Sequence, residues 1–373
     1  MKVVAAIDSF KGSMTSMEAG NAVKKGILAA KPDAEVWLSP LADGGEGTVD
    51  ALIEGLGAEK IPVTVAGPLG EKVSCYYGFL EETKTAVMEM ASAAGITLVT
   101  KKDPLRASTY GVGEMIADAL KRGCKNFMIG IGGSATNDGG IGMLKALGFE
   151  FFDEDGNDVG EGAAALAKIE VIRTENKNPL LSGAKFQIAC DVKNPLCGKQ
   201  GATYIFGSQK GVTEEQKDQI DEAMRHYADV TKESLGCDFA DCEGAGAAGG
   251  LGYAFLSYLA GELIPGVELI LHATGLEEKM KNADVVVTGE GRLDAQTVMG
   301  KAPAGVAALA KKYNAKVIAF AGSVASEAKV CNRAGIDAFF PIVRGITTLD
   351  EAMDPKNAKS NMTAAVEQVF RLL

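Results

Sequence analysis

The sequence predicts an α/β protein of two domains, one of them built on a doubly wound parallel sheet. Three observations carry this expectation. Short apolar runs rich in β-branched residues recur at 3–7 (VVAAI), 35–39 (EVWLS), 127–131 (FMIGI), 284–289 (DVVVTG), 316–322 (KVIAFAG) and 338–343 (AFFPIV). Each has the length and composition of a strand buried on both faces. Helical-period stretches such as Met17–Ala30, Val112–Arg122 and Ala302–Tyr313 separate several of them, the alternation of a parallel sheet with crossover helices. The segment Ile61–Ser92 differs: it reads as strand, Gly-Pro turn, strand, turn, strand, a meander, and similar β texture returns in FEFFDEDGNDVG and AKFQIACDV. A second α/β domain is therefore expected from segments that leave the first sheet and return. The expected first domain takes 1–58, 106–148 and 265–373, and the second takes 59–105 and 149–264, a division that 373 residues can support.

Composition narrows the function. A formal net charge of -11 repels phosphate backbones and acidic membrane surfaces, so neither nucleic acid nor a membrane is an expected partner. Any anionic substrate must be held by local donors. Seven cysteines without CxxC spacing read as thiols in a reducing compartment, and the apolar run in MKVVAAIDSF is too short for a signal peptide or a membrane span. A cytoplasmic protein is expected. With two histidines, His226 and His272, a histidine triad or multi-histidine metal site is not expected, which leaves carboxylates, lysines and backbone amides to do the chemistry.

In open parallel sheets, ligands sit beyond the carboxyl ends of the strands, so the corners after the predicted strands are the places to look. DSFKGS brings Asp8 and Lys11 off one strand tip together, although Ser13 or Thr15 capping the next helix would also explain part of it. PLADGGEGT offers Gly44 and Gly45 for close backbone approach to phosphate, with Asp43 and Glu46 as candidate magnesium ligands. GIGGSATNDGG places Gly132, Gly133, Ser134, Asn137 and Asp138 between a strand and a helix, where free amides can bind an anion. The same loop fits a GxGxxA frame with Glu150 downstream, a dinucleotide fingerprint weakened because the strand continues past that acid. Asp191 closes another strand, where a carboxylate could take the proton of an attacking hydroxyl, and Asn194, Lys199 and Lys210 follow it. The GAGAAGGLG frame at Gly244 follows acidic residues rather than a strand, so it reads as close backbone packing or substrate approach, packing first. TGEGRLDAQTVMGKAP supplies Glu290, Arg292, Asp294 and Lys301, a set able to bind magnesium and clamp an anion. GxxxxGK[ST] and the HRD and DFG signatures are absent, which excludes a P-loop enzyme and a protein kinase.

Taken together and in order, DSFKGS, PLADGGEGT, GGSATNDGG, CDVKNPL with FGSQKG, GAAGGLG and TGEGRLDAQT resemble the bacterial two-domain glycerate kinase family over essentially the whole chain. Ile7, before DSFKGS, and Ser208, in FGSQKG, stand where that family commonly has proline. The resemblance implies a flavodoxin-like, Rossmann-like domain plus a restriction-enzyme-like α/β domain. It also implies phosphoryl transfer from ATP to D-glycerate, at the 2-hydroxyl more than the 3-hydroxyl, with Mg2+. On that basis Asp191 is the expected base, and Asp43, Glu290 and Asp294 the magnesium ligands. Asp8 joins the catalytic set. Lys11, Arg292 and Lys301 are expected on phosphates or the glycerate carboxylate, and Gly44, Gly45, Gly132, Gly133, Ser134, Asn137 and Asp138 on the nucleotide. An NAD-dependent hydroxy-acid oxidoreductase using the Gly130 loop and a non-catalytic sugar-acid-binding protein are the competing readings. A homodimer is one assembly left open.

Overall fold

The predicted apolar runs form strands, and in a computed structural model describing residues 1–41, 48–299 and 301–373 they assemble into separate sheets. The expected ligands Asp43, Gly44 and Gly45 lie outside the described residues, as do the side chains of Thr48, Ala51, Glu54 and His272. Strands β1 (Lys2–Ile7) and β2 (Glu35–Pro40) come first. There follow β3 (Glu59–Ala66), β4 (Lys72–Leu80), β5 (Thr85–Glu89), β6 (Asn126–Gly130), β7 (Glu150–Phe152), β8 (Val171–Arg173), β9 (Lys185–Ala189) and β10 (Glu262–Ile264). Last come β11 (Val285–Leu293), β12 (Lys316–Val324) and β13 (Ala338–Pro341). The chain divides into two compact units, one of Met1–Asp43, Asp50–Ala58 and Val267–Leu373, the other of Gly44–Val49 and Glu59–Gly266.

The first unit carries a five-stranded, all-parallel sheet in the order β13-β12-β11-β1-β2. Counted in order of use within the unit this is 2-1-3-4-5, the flavodoxin-like winding, whose direction reverses between β1 and β11. The central strands β1, β11 and β12 are buried on both faces, which is why they read as continuous apolar runs rather than alternating ones. Val3, Ala5, Ile7, Val285, Val287, Ile318 and Phe320 pack under helices Ser16–Ala30 and Pro355–Phe370. The alternate residues Val4, Ala6, Val286 and Val317 are equally buried, and helix Ala302–Lys312 packs against β1, β11 and β12. Thr15 starts the first of these helices through a capping box with Glu18, so of the two capping candidates it is Thr15, and not Ser13, that holds the helix end.

Two strand ends differ from expectation. β11 runs on through the Gly-Glu-Gly-Arg segment that the sequence suggested as a turn, because its pairing with β12 persists to Leu293 and Val324. Gly289 permits this approach: a Cβ there would fall 2.0 Å from the Phe320 carbonyl oxygen. β13 stops at Pro341, leaving Ile342 and Val343 beyond its carboxyl end.

The second unit is built on a six-stranded sheet ordered β10-β9-β6-β5-β4-β3, and β7 and β8 form a separate antiparallel pair. β3, β4 and β5 form the predicted meander, while β5, β6, β9 and β10 run parallel. Residues 106–148 therefore do not join the first sheet. β6 pairs with β5 on one side and β9 on the other, and helix Tyr110–Lys121 packs on β3. The physical reason is that a buried parallel strand ending in a glycine corner carries the same pattern in either sheet. Stacked Phe127 and Phe186, with ring centroids 4.7 Å apart, belong to this second core.

Candidate active site

In the first unit the reversal point between β1 and β11 opens into a cavity of about 670 Å3. Open α/β sheets bind ligands at this position because the loops leaving neighbouring strands diverge to opposite faces. Asp8 follows β1 directly and is buried, its Oδ1 accepting from the Ser9 amide at 2.7 Å, while its own amide donates to the Gly289 carbonyl at 2.9 Å. A tight turn comes next, closed by Phe10 and Met14, and it holds Lys11 exposed at its tip. Across the reversal point, β11 contributes Glu290 and Arg292, the turn after it Asp294, and the start of helix Ala302–Lys312 contributes Lys301. All six of these sequence-predicted residues line the one cavity.

Its electrostatics are balanced pair by pair. Lys301 Nζ lies 3.7 Å from Glu290 Oε2, and Arg292 Nε lies 3.6 Å from Asp294 Oδ2, ion-pair distances longer than a hydrogen bond. Thr297 Oγ1 donates to Glu290 Oε1 at 2.7 Å. Burial raises the Glu290 carboxyl above its usual range, against the pull of Thr297 and Lys301. Asp294 Oδ1 accepts from the Gln296 amide at 2.9 Å, which orients its carboxylate.

Part of the cavity's lining is apolar, a wall that includes Phe10, Ile342, Leu349, Ala352 and Met353. Sequence reasoning missed this wall. Its signals were present in Thr348 and Glu351, which form a capping box starting the short helix Leu349–Met353, and in the i,i+4 pair Leu349 and Met353 on one face of it.

The second unit gathers a different group of predicted residues. Gly132 and Gly133 are exposed at the carboxyl end of β6, whereas Ser134, Asn137 and Asp138 are buried. Asp138 accepts from the Thr109 amide and hydroxyl, both at 2.8 Å, and from the Gly140 and Gly142 amides. Its acceptor capacity is taken up by these four bonds, so Asp138 holds the GGSATNDGG corner together, while Asn137 donates to Thr203 Oγ1 at 3.0 Å and its buried Oδ1 has no partner among the described residues. Gly249, from GAAGGLG, seals the corner from the other side in a left-handed conformation at φ +70, as the packing reading of that motif expects. A Cβ on Gly249 would fall 2.2 Å from the Thr136 carbonyl oxygen. Gly249→Ala is expected to cost about 3 kcal/mol, combining left-handed strain with overpacking, which urea unfolding would measure.

Lys210 closes the same corner from below. Its ammonium is buried and donates to the Thr136 carbonyl at 2.7 Å. Burial pushes it down to about 7, with nearby Asp138 opposing the shift. The folded state therefore holds fewer protons than the unfolded state from about pH 7 up to the ordinary lysine range, and this group's cost, full below about 7, is relieved as pH rises. Buried thiols such as Cys75 and Cys197, pushed up to about 11 and about 12, pull the other way but are common to wild type and variant. Relative to Lys210→Met, the wild type should gain about 2 kcal/mol of stability between pH 7 and 9, readable from paired denaturation curves.

Asp191 follows β9 and is exposed, its Oδ1 accepting from the Gly266 amide at 2.9 Å. His226 is structural, its Nε2 bonded to the Ile169 carbonyl at 2.7 Å. Among the described residues no group of three or more His, Cys, Asp or Glu is placed to hold a metal, and no helix is long and apolar enough to cross a membrane.

Comparison with known proteins agrees with this picture. The chain is 44% identical over 375 residues to glycerate 2-kinase of Escherichia coli (strain K12), covering 100% of this chain and 98% of that protein. It is 47% identical over 353 residues to glycerate kinase of Halalkalibacterium halodurans, covering 94% and 93%. A crystal structure assigned to glycerate kinase 2 of Salmonella typhimurium LT2 superposes with a TM-score of 0.92 at 42% identity, covering 100% of this chain and 98% of that one. Residues 3–373 match the profile of the Glycerate kinase family, and the chain belongs to that family.

Proposed function

We propose that the chain is an ATP-dependent glycerate 2-kinase, converting D-glycerate and ATP to 2-phosphoglycerate and ADP. The observation that carries the reading is the convergence, in one cavity at a sheet reversal point, of three cations and three carboxylates drawn from β1 and β11 corners far apart in sequence. Phosphoryl transfer asks for charge neutralisation and in-line positioning more than for covalent help, and this set supplies both.

The glycerate hydroxyl oxygen forms the new bond to the γ-phosphorus while the bond to the ADP oxygen breaks. The hydroxyl proton passes to a carboxylate, which we assign to Asp191. Lys11, Arg292 and Lys301 face the transferring phosphoryl group, where negative charge accumulates on the equatorial oxygens. Mg2+ commonly takes one or two carboxylates plus substrate phosphates, and Glu290 with Asp294 fits that donor set, so these two would hold the ion. Bound there, the ion would neutralise phosphate charge. With the two acids occupied, Arg292 and Lys301 would exchange their carboxylate partners for phosphate oxygens. The seven cysteines are unpaired thiols, which supports a reducing, cytoplasmic setting.

The test is product formation. ADP should appear only when D-glycerate and Mg2+ are both supplied with ATP, and phosphorus NMR of the product should give the 2-phosphate. ADP release indifferent to glycerate, or a 3-phosphate product, would contradict the corresponding part of the proposal. An oxidoreductase is disfavoured by Glu150, which begins β7 instead of ending a strand, and by the internal use of Asp138.

A further inference from the structure

The cavity is too large and its lining too apolar for its acceptor alone. Glycerate has three carbons, all bearing oxygen or attached to carbon that does, and no apolar face to set against Phe10, Ile342, Leu349 and Met353. The volume of about 670 Å3 lies within the range of sites that enclose drug-sized or nucleotide-sized ligands. Leu349 and Met353 are moreover 73% and 36% exposed while lining it, so apolar area faces the cavity without a protein partner covering it.

The apolar and charged parts of the lining adjoin. Met353 Cε sits 2.9 Å from where a Cβ on Gly12 would be, and Gly12 neighbours Lys11 in the turn after β1. A ligand bridging them must be anionic at one end and flat or apolar at the other. Thr347 and Thr348 also line the wall, but their hydroxyls are engaged with Glu351, Thr347 donating to its carboxylate and Thr348 accepting from its amide. The side chains there therefore offer contact area and few free polar groups, the chemistry that receives an aromatic ring by packing rather than by reading its edge.

We infer that the wall formed by Phe10, Ile342, Leu349 and Met353 is the nucleobase subsite of the nucleoside triphosphate, continuous with the phosphate end at Lys11, Arg292 and Lys301. The base is thus held by the unit that contains β1 and not by Gly132, Gly133 and Ser134. This rests on the kinase reading above and adds to it where the nucleotide lies.

Isothermal titration of wild type, Leu349→Ala and Met353→Ala with ATP, with inorganic tripolyphosphate and with D-glycerate tests the inference. Truncating either exposed side chain should weaken ATP about tenfold, the usual scale for lost apolar contact in a binding pocket, and leave tripolyphosphate within twofold. Glycerate binding should stay unchanged. Unchanged ATP affinity in both variants overturns the assignment. Equal losses for ATP and tripolyphosphate also overturn it, because the wall would then not be reading the base, and a loss confined to glycerate would give the cavity to the acceptor. Parallel ADP-release assays keep the two readings apart. Normal turnover with unaltered ATP affinity defeats the subsite alone, whereas selective ATP weakening without any glycerate-dependent turnover defeats the kinase reading alone.

Discussion

Asp191→Asn is expected to lower kcat by about 10²–10⁴, the usual range for loss of a positioned general base. The substitution is nearly isosteric, and the amide oxygen can still accept from the Gly266 amide as Asp191 Oδ1 does at 2.9 Å. In the proposed role, what disappears is the basic oxygen that takes the hydroxyl proton. KM for glycerate should change only a few fold, because the substrate's carboxylate and second hydroxyl do not depend on that proton acceptor. Steady-state kinetics with saturating ATP separates the outcomes. Near-normal kcat removes Asp191 from the role, and a rise in KM with kcat preserved makes it a binding residue instead.

Arg292→Ala is expected to reduce kcat/KM by about 10²–10³, the scale found when one preorganised donor to a developing oxyanion is deleted. Arg292 stands on β11 opposite Ser323 of β12, so the extended strand fixes its backbone. Its side chain is held only loosely, 3.6 Å from Asp294 and largely exposed. A cation paired that weakly is available to a phosphate at little cost. Arg292→Lys should recover only part of the loss, since an ammonium keeps the charge but not the planar fork that grips two oxygens at once. Full recovery by lysine would show that charge alone matters, and an effect confined to KM for ATP would place Arg292 in ground-state binding.

Much of the first unit is legible in the sequence because its central strands are buried on both faces and flanked by glycine and acid. β1, β2 and β12 lie within two residues of the apolar runs that announce them. The allocation of β6 was not legible, since hydrophobic periodicity reports burial and says nothing about which sheet does the burying. Residue type marked Asp8, Lys11, Glu290, Arg292, Asp294 and Lys301 as chemistry, and the reversal point explains why they meet. Asp138 carried the same kind of signal for another reason: a buried glycine-rich corner needs internal acceptors for its amides, and in sequence that need looks like ligand binding. Leu349 and Met353 were overlooked for the converse reason, because an apolar i,i+4 pair on a short helix ordinarily means core.

The host sheet is interrupted between β2 and β11 by a long, nearly continuous insertion. During synthesis the inserted segment has all its strands in hand before β11 emerges, so it can fold while its host is still a two-stranded fragment with an open edge on β1. Closing the flavodoxin-like sheet is then a late, long-range event that must wait for the last third of the polypeptide. Ribosome-stalled chains ending before β11 should be protease-resistant in the insertion and sensitive in the first forty residues.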